Sequence, residues 1–398
     1  MSTPLPTTTH VVLSPGMFGF GTLASFRYFE HLESAFTARF RALGRPVEVH
    51  VNAVHPTASI RRRATALATF VRDAVLTTEG PIHLVGHSTG GLDARLVASP
   101  TVHLPGIVPG DLRWTERLVS ITTINTPHYG TPLAAFFATV SGQRLLYAST
   151  ALTVIALKIG APPLAAASAL VAAFGRFSGT VEVEVVDRAT EAIIRVLDEA
   201  SSREVRAFLR RIRDDQGGVV QLMPEAMDMF QALVENRPGV RCQSVASYAP
   251  GVSRSDWLGA VRSPWAAISA GLFAIFYNVT AREDERYPCR AHGPAALRDD
   301  PLERVARFLG ERPPTLANDG VVPLYSQVWG ELAWCGRADH LDVVGHFPGP
   351  LTARPGETVH RDWLRSGSRF DRARFDQMMD RVFAGMIEGE RARAVAAR

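Results

Sequence analysis

The 398-residue chain predicts a layered α/β domain, with a mostly parallel central sheet flanked by helices and a largely helical apolar cap. Three observations carry that expectation. Short apolar runs alternate with helical patterns of roughly ten to twenty residues through the first third, the rhythm of a sheet covered on both faces. In PIHLVGHSTGG, residues 81–91, a serine stands among glycines where an apolar strand gives way to a helix. From Leu133 to Phe177 the rhythm breaks and the chain becomes almost continuously apolar.

The elements follow in order. HVVLS (10–14) is a short apolar strand closed by Pro15 and Gly16. Residues 27–44 carry Phe29, Leu32, Phe36, Phe40 and Leu43 at helical spacing and stop at Gly44. VEVHV (47–51) is strand-like, and residues 59–79 form a helix with Ile60, Ala64, Leu67, Val71 and Val75 on one face. PIHLVG (81–86) is a third strand, GLDARLVAS a helix, and LVSITTI (118–124) a fourth strand.

The apolar run 145–174 is long enough to span a bilayer, but Lys158 and the breaker Gly160, Pro162 and Pro163 divide it. Short cap helices over a site are therefore expected. PWAAISAGLFAIFY (264–277) is too short to span. Residues 187–213 are an amphipathic, Arg-rich helical stretch, 239–249 a strand, 331–339 the last strand and 371–388 a closing helix. The expected organisation is a core over 1–132, a helical cap over 133–238, a core strand at 239–249, a second insertion over 250–315 and a core segment over 316–398.

Composition excludes some function classes. Hydrophobic residues at 46% against 21% charged describe a chain that buries a substantial core. The net charge is +4 and Lys158 is the only lysine, so the basic charge is nearly all arginine. No clustered basic stripe forms, and Arg61, Arg62 and Arg63 read as a solvated helix face, which argues against a nucleic-acid partner. Cys242, Cys289 and Cys335 are too few and scattered for a disulfide framework or zinc site and are expected to be reduced. The N-terminus has no basic start followed by an apolar stretch, so the expectation is a cytoplasmic protein.

GHSTG fits G-x-S-x-G with Ser88 at its centre and Gly86, His87 and Gly90 around it. On a sharp strand-to-helix turn only small neighbours fit, and the turn lifts the hydroxyl above the sheet as a nucleophile. Such a serine needs a base, and the base an orienting acid, in the chain order Ser, Asp or Glu, His. TLANDGVVPLYS supplies Asp319 and GRADHLDVVGHF supplies His340, with His346 as the alternative base. His83, His87 and His128 lie too early in the chain for that role. An oxyanion requires backbone N–H donors. Thr89, just after the nucleophile, supplies one, and Met17 in the glycine-rich SPGMFGFG (14–21) the other.

On these residues the chain resembles bacterial triacylglycerol lipases of the Pseudomonas and Burkholderia type, within the α/β-hydrolases. PGMFGF is similar to that family's oxyanion loop and VGHSTGG to its nucleophile elbow. ITTINTPHYGTPLA, ANDGVVPLYS, DHLDVV and VVQLMPEAMDMFQAL followed by GVRCQSVAS resemble further family segments, in the family's order. Pro15 departs from the family's histidine before the oxyanion glycine, Thr89 stands where relatives often carry histidine, and the cap segments have no match. The resemblance implies an ester-cleaving serine hydrolase with a mobile lid and Ser88, Asp319 and His340 as its triad. It also implies a structural calcium near the base loop. Asp342 matches one ligand, and Asp299 or Asp300 would supply a second acid.

The expected function is a carboxylic ester hydrolase acting on acyl lipids or other apolar esters, in transient contact with a lipid interface and needing no cofactor for the chemistry. The same residues serve acyl transfer to an alcohol. A silent membrane-associated scaffold anchored by 145–174 is the reading from another class. Oligomeric state is not legible in the sequence.

Overall fold

The computed structural model describes residues 7–17, 22–23, 26–159, 163–175, 183–251, 264–282, 300–349 and 360–396. Among the described residues six strands make the central sheet: β1 (Thr9–Ser14), β2 (Val47–Val51), β3 (Ile82–His87), β4 (Leu118–Ile124), β5 (Arg241–Tyr248) and β6 (Glu331–Arg337). Their order is β2-β1-β3-β4-β5-β6, and every neighbouring pair is parallel. The mostly parallel sheet expected from the sequence is thus found, strand for strand. Every residue of β1, β3 and β4 is buried, because helices cover both faces of a parallel sheet. That is why these strands read as nearly unbroken apolar runs rather than alternating ones.

Helix α1 (Glu30–Ala42) packs with the C-terminal helix, while α2 (Ile60–Ala74) packs on α3 (Thr89–Ala98), which lies along β3 and β4. Ser59 caps α2 by accepting from the Arg62 N–H at 3.3 Å. One residue in α2 departs from the solvated face expected of the arginines. Arg61 and Arg62 are exposed, but Arg63 is fully buried. It lies on the same stripe as Ile60, Ala64 and Leu67, where helical spacing turns it inward.

Among the described residues between β4 and β5 come α4 (Pro132–Phe137), α5 (Val140–Ile159), α6 (Leu164–Gly175), α7 (Val183–Ile194), α8 (Glu199–Asp214), α9 (Gly217–Gln221) and α10 (Pro224–Leu233). The single amphipathic stretch expected over 187–213 is two helices, because Asp198 starts α8 afresh by accepting from the Ser201 N–H at 2.9 Å. Leu146, Leu152 and Ile155 of α5 are fully buried, and α5 packs on α4, α6, α7 and α8. Burying each such side chain contributes about 1.5–3 kcal/mol, which ties α5 to other helices of the chain. Among the described residues no helix is long and apolar enough to cross a membrane.

After β5 come α11 (Pro264–Thr280), which packs on α4 and α6, and α12 (Pro301–Leu309), which packs on β6. Helix α13 (Arg372–Ala396) closes the chain along β4, β5 and β6. The chain leaves β1 for β2 on one side and returns for β3 on the other. The C-terminal ends of β1 and β3 therefore flank the switch point where open α/β sheets form their crevice. Ser14 and Gly86 are register partners there.

Candidate active site

Ser88 stands between β3 and α3 with φ 54° and ψ −128°, a conformation few non-glycine residues adopt. Its N–H donates to the Ile124 carbonyl at 2.8 Å, which ties the turn to β4. The glycines have a steric reason. A Cβ on Gly90 would overlap the Ser14 carbonyl oxygen, and one on Gly16 would come within 2.5 Å of the Ser88 Cβ. The loop after β1 and the turn after β3 thus approach to backbone contact.

Asp319 and His340 meet. His340 Nδ1 lies 2.7 Å from Asp319 Oδ2, and the His340 N–H donates to the Asp319 carbonyl at 3.0 Å. Asp319 is fully buried, and its Oδ1 accepts from the N–H groups of Val321 (2.8 Å) and Val322 (2.7 Å). The Asp319 oxygen accepts here, so the Nδ1 proton of His340 points at it and Nε2 faces away. Asn125 adds a second donor to Asp319 Oδ2, at 2.9 Å, and another to the Ser247 hydroxyl at 2.7 Å. Asn125 has φ 47°, which this residue type tolerates better than most.

His87 joins the loop of His340 to the serine turn. Its Nε2 lies 2.9 Å from the His340 carbonyl oxygen and its Nδ1 2.9 Å from the Tyr28 hydroxyl. The His87 and His340 rings are 4.7 Å apart, and burial holds His87 neutral, well below the usual imidazole range.

The other histidines are engaged elsewhere. His346 donates from Nε2 to the Tyr28 carbonyl at 3.2 Å, and burial lowers it to about 4. His83 meets Ser120 at 2.7 Å and Glu390 at 3.0 Å, and His128 meets Arg95 at 3.0 Å. Of His340 and His346, only His340 contacts Asp319.

Met17 and Ser88 line an apolar cavity of about 30 Å³, together with Leu133, Phe137, Leu222 and Val322. Thr89 is the first residue of α3, where an N–H has no partner within the helix. Residues 18–21 of the loop read as SPGMFGFG lie outside the described residues.

A fully buried ion pair supports this end of the sheet. Arg63 Nη2 lies 2.7 Å from Asp93 Oδ2, and Nε is 3.0 Å from the same oxygen. Nη2 also donates to the Pro15 carbonyl at 2.6 Å, and Nη1 to the carbonyls of His55 (2.8 Å) and Pro56 (2.9 Å). The loop before Met17 is thereby tied to the helix after Ser88.

Asp342, two residues after His340, lies in a buried acidic patch. Its Oδ2 accepts from the Asp339 N–H at 2.9 Å and the Ser368 hydroxyl at 2.7 Å, while Oδ1 is buried with no hydrogen-bond partner. Burial, then the charges of Asp339 and Asp362, push Asp342 well above the usual carboxylate range. Burial and neighbouring acid also raise Asp339 and Asp362 to about 7, and Arg365 offsets only part of this at Asp362. A buried oxygen without a donor among mutually repelling carboxylates fits a hard divalent cation. The second acid differs from the one expected. Asp300 caps α12 by accepting from the Leu302 N–H at 2.9 Å, and Asp299 lies outside the described residues. Asp339 and Asp362 are the acids beside Asp342. Cys242 and Cys335 are free thiols, raised by burial to about 11 and about 12, and Cys289 lies outside the described residues.

No protein-family model matches the chain. A triacylglycerol lipase of Vibrio cholerae serotype O1 is 25% identical over 337 residues, covering 82% of this chain and 88% of that one. Among solved structures, the Staphylococcus hyicus lipase superposes with a TM-score of 0.49 at 16% identity, covering 96% of both chains. Lipase 1 from Pelosinus fermentans gives 0.48 at 15% identity, covering 86% of this chain and 94% of that one.

Proposed function

We propose, from the premise that this chain is an α/β-hydrolase similar to a bacterial triacylglycerol lipase, that it is a serine carboxylic ester hydrolase acting on acyl lipids or other apolar esters. The observation that carries the reading is the Asp319–His340 pair at 2.7 Å, bonded through the His340 carbonyl to His87, the residue directly before a strained serine.

In this mechanism His340 Nε2 takes the proton of Ser88 Oγ as that oxygen attacks the ester carbonyl. Asp319 holds the ring in the required tautomer and stabilises the imidazolium that forms. The N–H groups of Met17 and Thr89 receive the developing oxyanion, and losing one such donor typically costs about 10²-fold or more in turnover. His340 returns the proton to the leaving alcohol, and the acyl group stays on Ser88. Water, deprotonated by His340, then releases the acid. Calcium, when bound, would meet the unpartnered Oδ1 of Asp342 and would supply charge compensation for the acids around it.

The apolar lining of the cavity beside Ser88 favours an acyl chain over a polar group. At about 30 Å³ it has room for roughly two waters, at about 10–15 Å³ each. An acyl chain therefore enters only after α4 and the neighbouring cap segments move apart, the lid motion that contact with a lipid interface would favour. Hydrolysis of p-nitrophenyl esters from acetate to palmitate tests the reading. The expected result is turnover of medium or long chains that Ser88→Ala abolishes without changing the circular dichroism. Turnover retained in Ser88→Ala would reject it. Product analysis with competing alcohols separates hydrolysis from acyl transfer by the same residues.

A further inference from the structure

Three potential metal ligands converge on the edge of the sheet, away from the strand ends that carry the triad. His10 is the second residue of β1, and its register partner on β2 is Glu48. His50 follows Glu48 by two residues, so the period of a strand puts both side chains on one face, beside His10. His10 Nδ1 lies 3.2 Å from His50 Nε2 and 3.6 Å from Glu48 Oε2, and His50 Nε2 lies 3.5 Å from the same carboxylate oxygen.

That triangle has the dimensions of a coordination polyhedron. A tetrahedral ion with bonds of about 2.0–2.1 Å holds its ligands roughly 3.3–3.4 Å apart, the edge of the tetrahedron. The three measured separations bracket that value with no movement of the strands. Two imidazole nitrogens and one carboxylate oxygen suit zinc better than calcium, which takes six to eight oxygens.

The surroundings agree. His10 Nε2 lies 2.8 Å from the Thr78 hydroxyl, the kind of outer hydrogen bond that fixes a ligating ring. The side chains of His10, His50 and Glu48 are 0%, 20% and 48% exposed, so the site has a buried anchor and one open side.

We propose that His10, Glu48 and His50 bind a zinc ion that clamps edge strand β2 to β1, with water in the fourth position. The ion's role is structural, since His10 lies at the near end of the strand whose far end approaches Ser88. In this cluster the histidine rings, now 5.4 Å apart and stacked, would be cross-linked through the metal.

The test uses the full chain, stripped of metal and then saturated with calcium to occupy the acidic patch, with cobalt(II) as a coloured substitute for zinc. The expected result is one equivalent of cobalt with the intense visible bands of a tetrahedral site, displaced by zinc. Zinc should also raise the thermal midpoint. His50→Ala, on a partly exposed edge, should lose the bands and the shift while keeping ester hydrolysis. Glu48→Gln should weaken cobalt binding at least tenfold and serves if His50→Ala folds poorly. No tetrahedral cobalt spectrum in the wild-type chain, or equal spectra and zinc shifts in wild type and both variants, would overturn the proposal.

Discussion

His87 Nε2 donates to the backbone carbonyl of His340 across 2.9 Å, so the residue before Ser88 holds the loop that carries the His340 imidazole. A carbonyl can only accept, which fixes the His87 proton on Nε2 and leaves Nδ1 to accept from the Tyr28 hydroxyl. His87→Phe keeps the ring volume and removes both bonds. The expected outcome is a fall in kcat of tenfold or more with KM nearly unchanged, and a stability loss of about 1–3 kcal/mol from the unpaired buried groups. Steady-state kinetics with one soluble ester check this, and wild-type kcat in the variant would show that His340 is held by other means.

The choice between His340 and His346 has a direct readout. His340→Ala should abolish ester hydrolysis, whereas His346→Gln should remain active, since Gln can still donate to the Tyr28 carbonyl. Acid sensitivity should move the other way. The folded chain holds His346 near 4, below its ordinary 6.5. Between those values the unfolded chain takes up a proton that the folded chain refuses. Stability is fully present above pH 6.5 and falls as pH drops towards 4, by roughly 3 kcal/mol for this one group. Urea unfolding at pH 7 and pH 4.5 should show a smaller acid loss in His346→Gln.

Arg63 and Asp93 are a buried pair whose partners include the Pro15 carbonyl. Removing one member leaves a buried charge unpaired, so Arg63→Met is expected to cost about 3–5 kcal/mol. Adding Asp93→Leu should recover most of that stability. Activity should not recover, because the Pro15 carbonyl has lost its donor and the loop before Met17 its anchor. Chemical denaturation and kinetics on both variants check the two halves separately.

Calcium at the acidic patch predicts a chelator effect. EGTA should lower the thermal midpoint and added calcium restore it, while Asp342→Asn should start low and ignore both. A midpoint unchanged by EGTA in the wild-type chain would mean that protons, rather than a cation, neutralise Asp339, Asp342 and Asp362.

Much of the scaffold was legible because its signals are local. β1, β3 and β4 are nearly unbroken apolar runs bounded by glycine and proline, and GHSTG, NDG and DHLD keep the chain order a Ser-Asp-His set would need. The rest depends on contacts between distant segments. Arg63 could have been found, since it lies three residues after Ile60 and four before Leu67 on the buried stripe, but Asp93 became its partner only when α2 met α3. Asn125 sits in the segment quoted for its resemblance, yet its bond to Asp319 spans 194 residues. Asp339 precedes His340 by one residue and Asp362 follows it by 22; no spacing rule brings them to Asp342. Asp198, by contrast, is a readable helix start that divides the Arg-rich stretch in two.

The central claim is that Ser88 is a nucleophile served by His340, and covalent labelling measures it most directly. A fluorophosphonate probe followed by peptide mass spectrometry should place one adduct on Ser88, with labelling at least a hundredfold slower in His340→Ala and unchanged in His346→Gln. An unmodified Ser88 in a preparation that turns over esters, or equal labelling rates with and without the His340 imidazole, would contradict it.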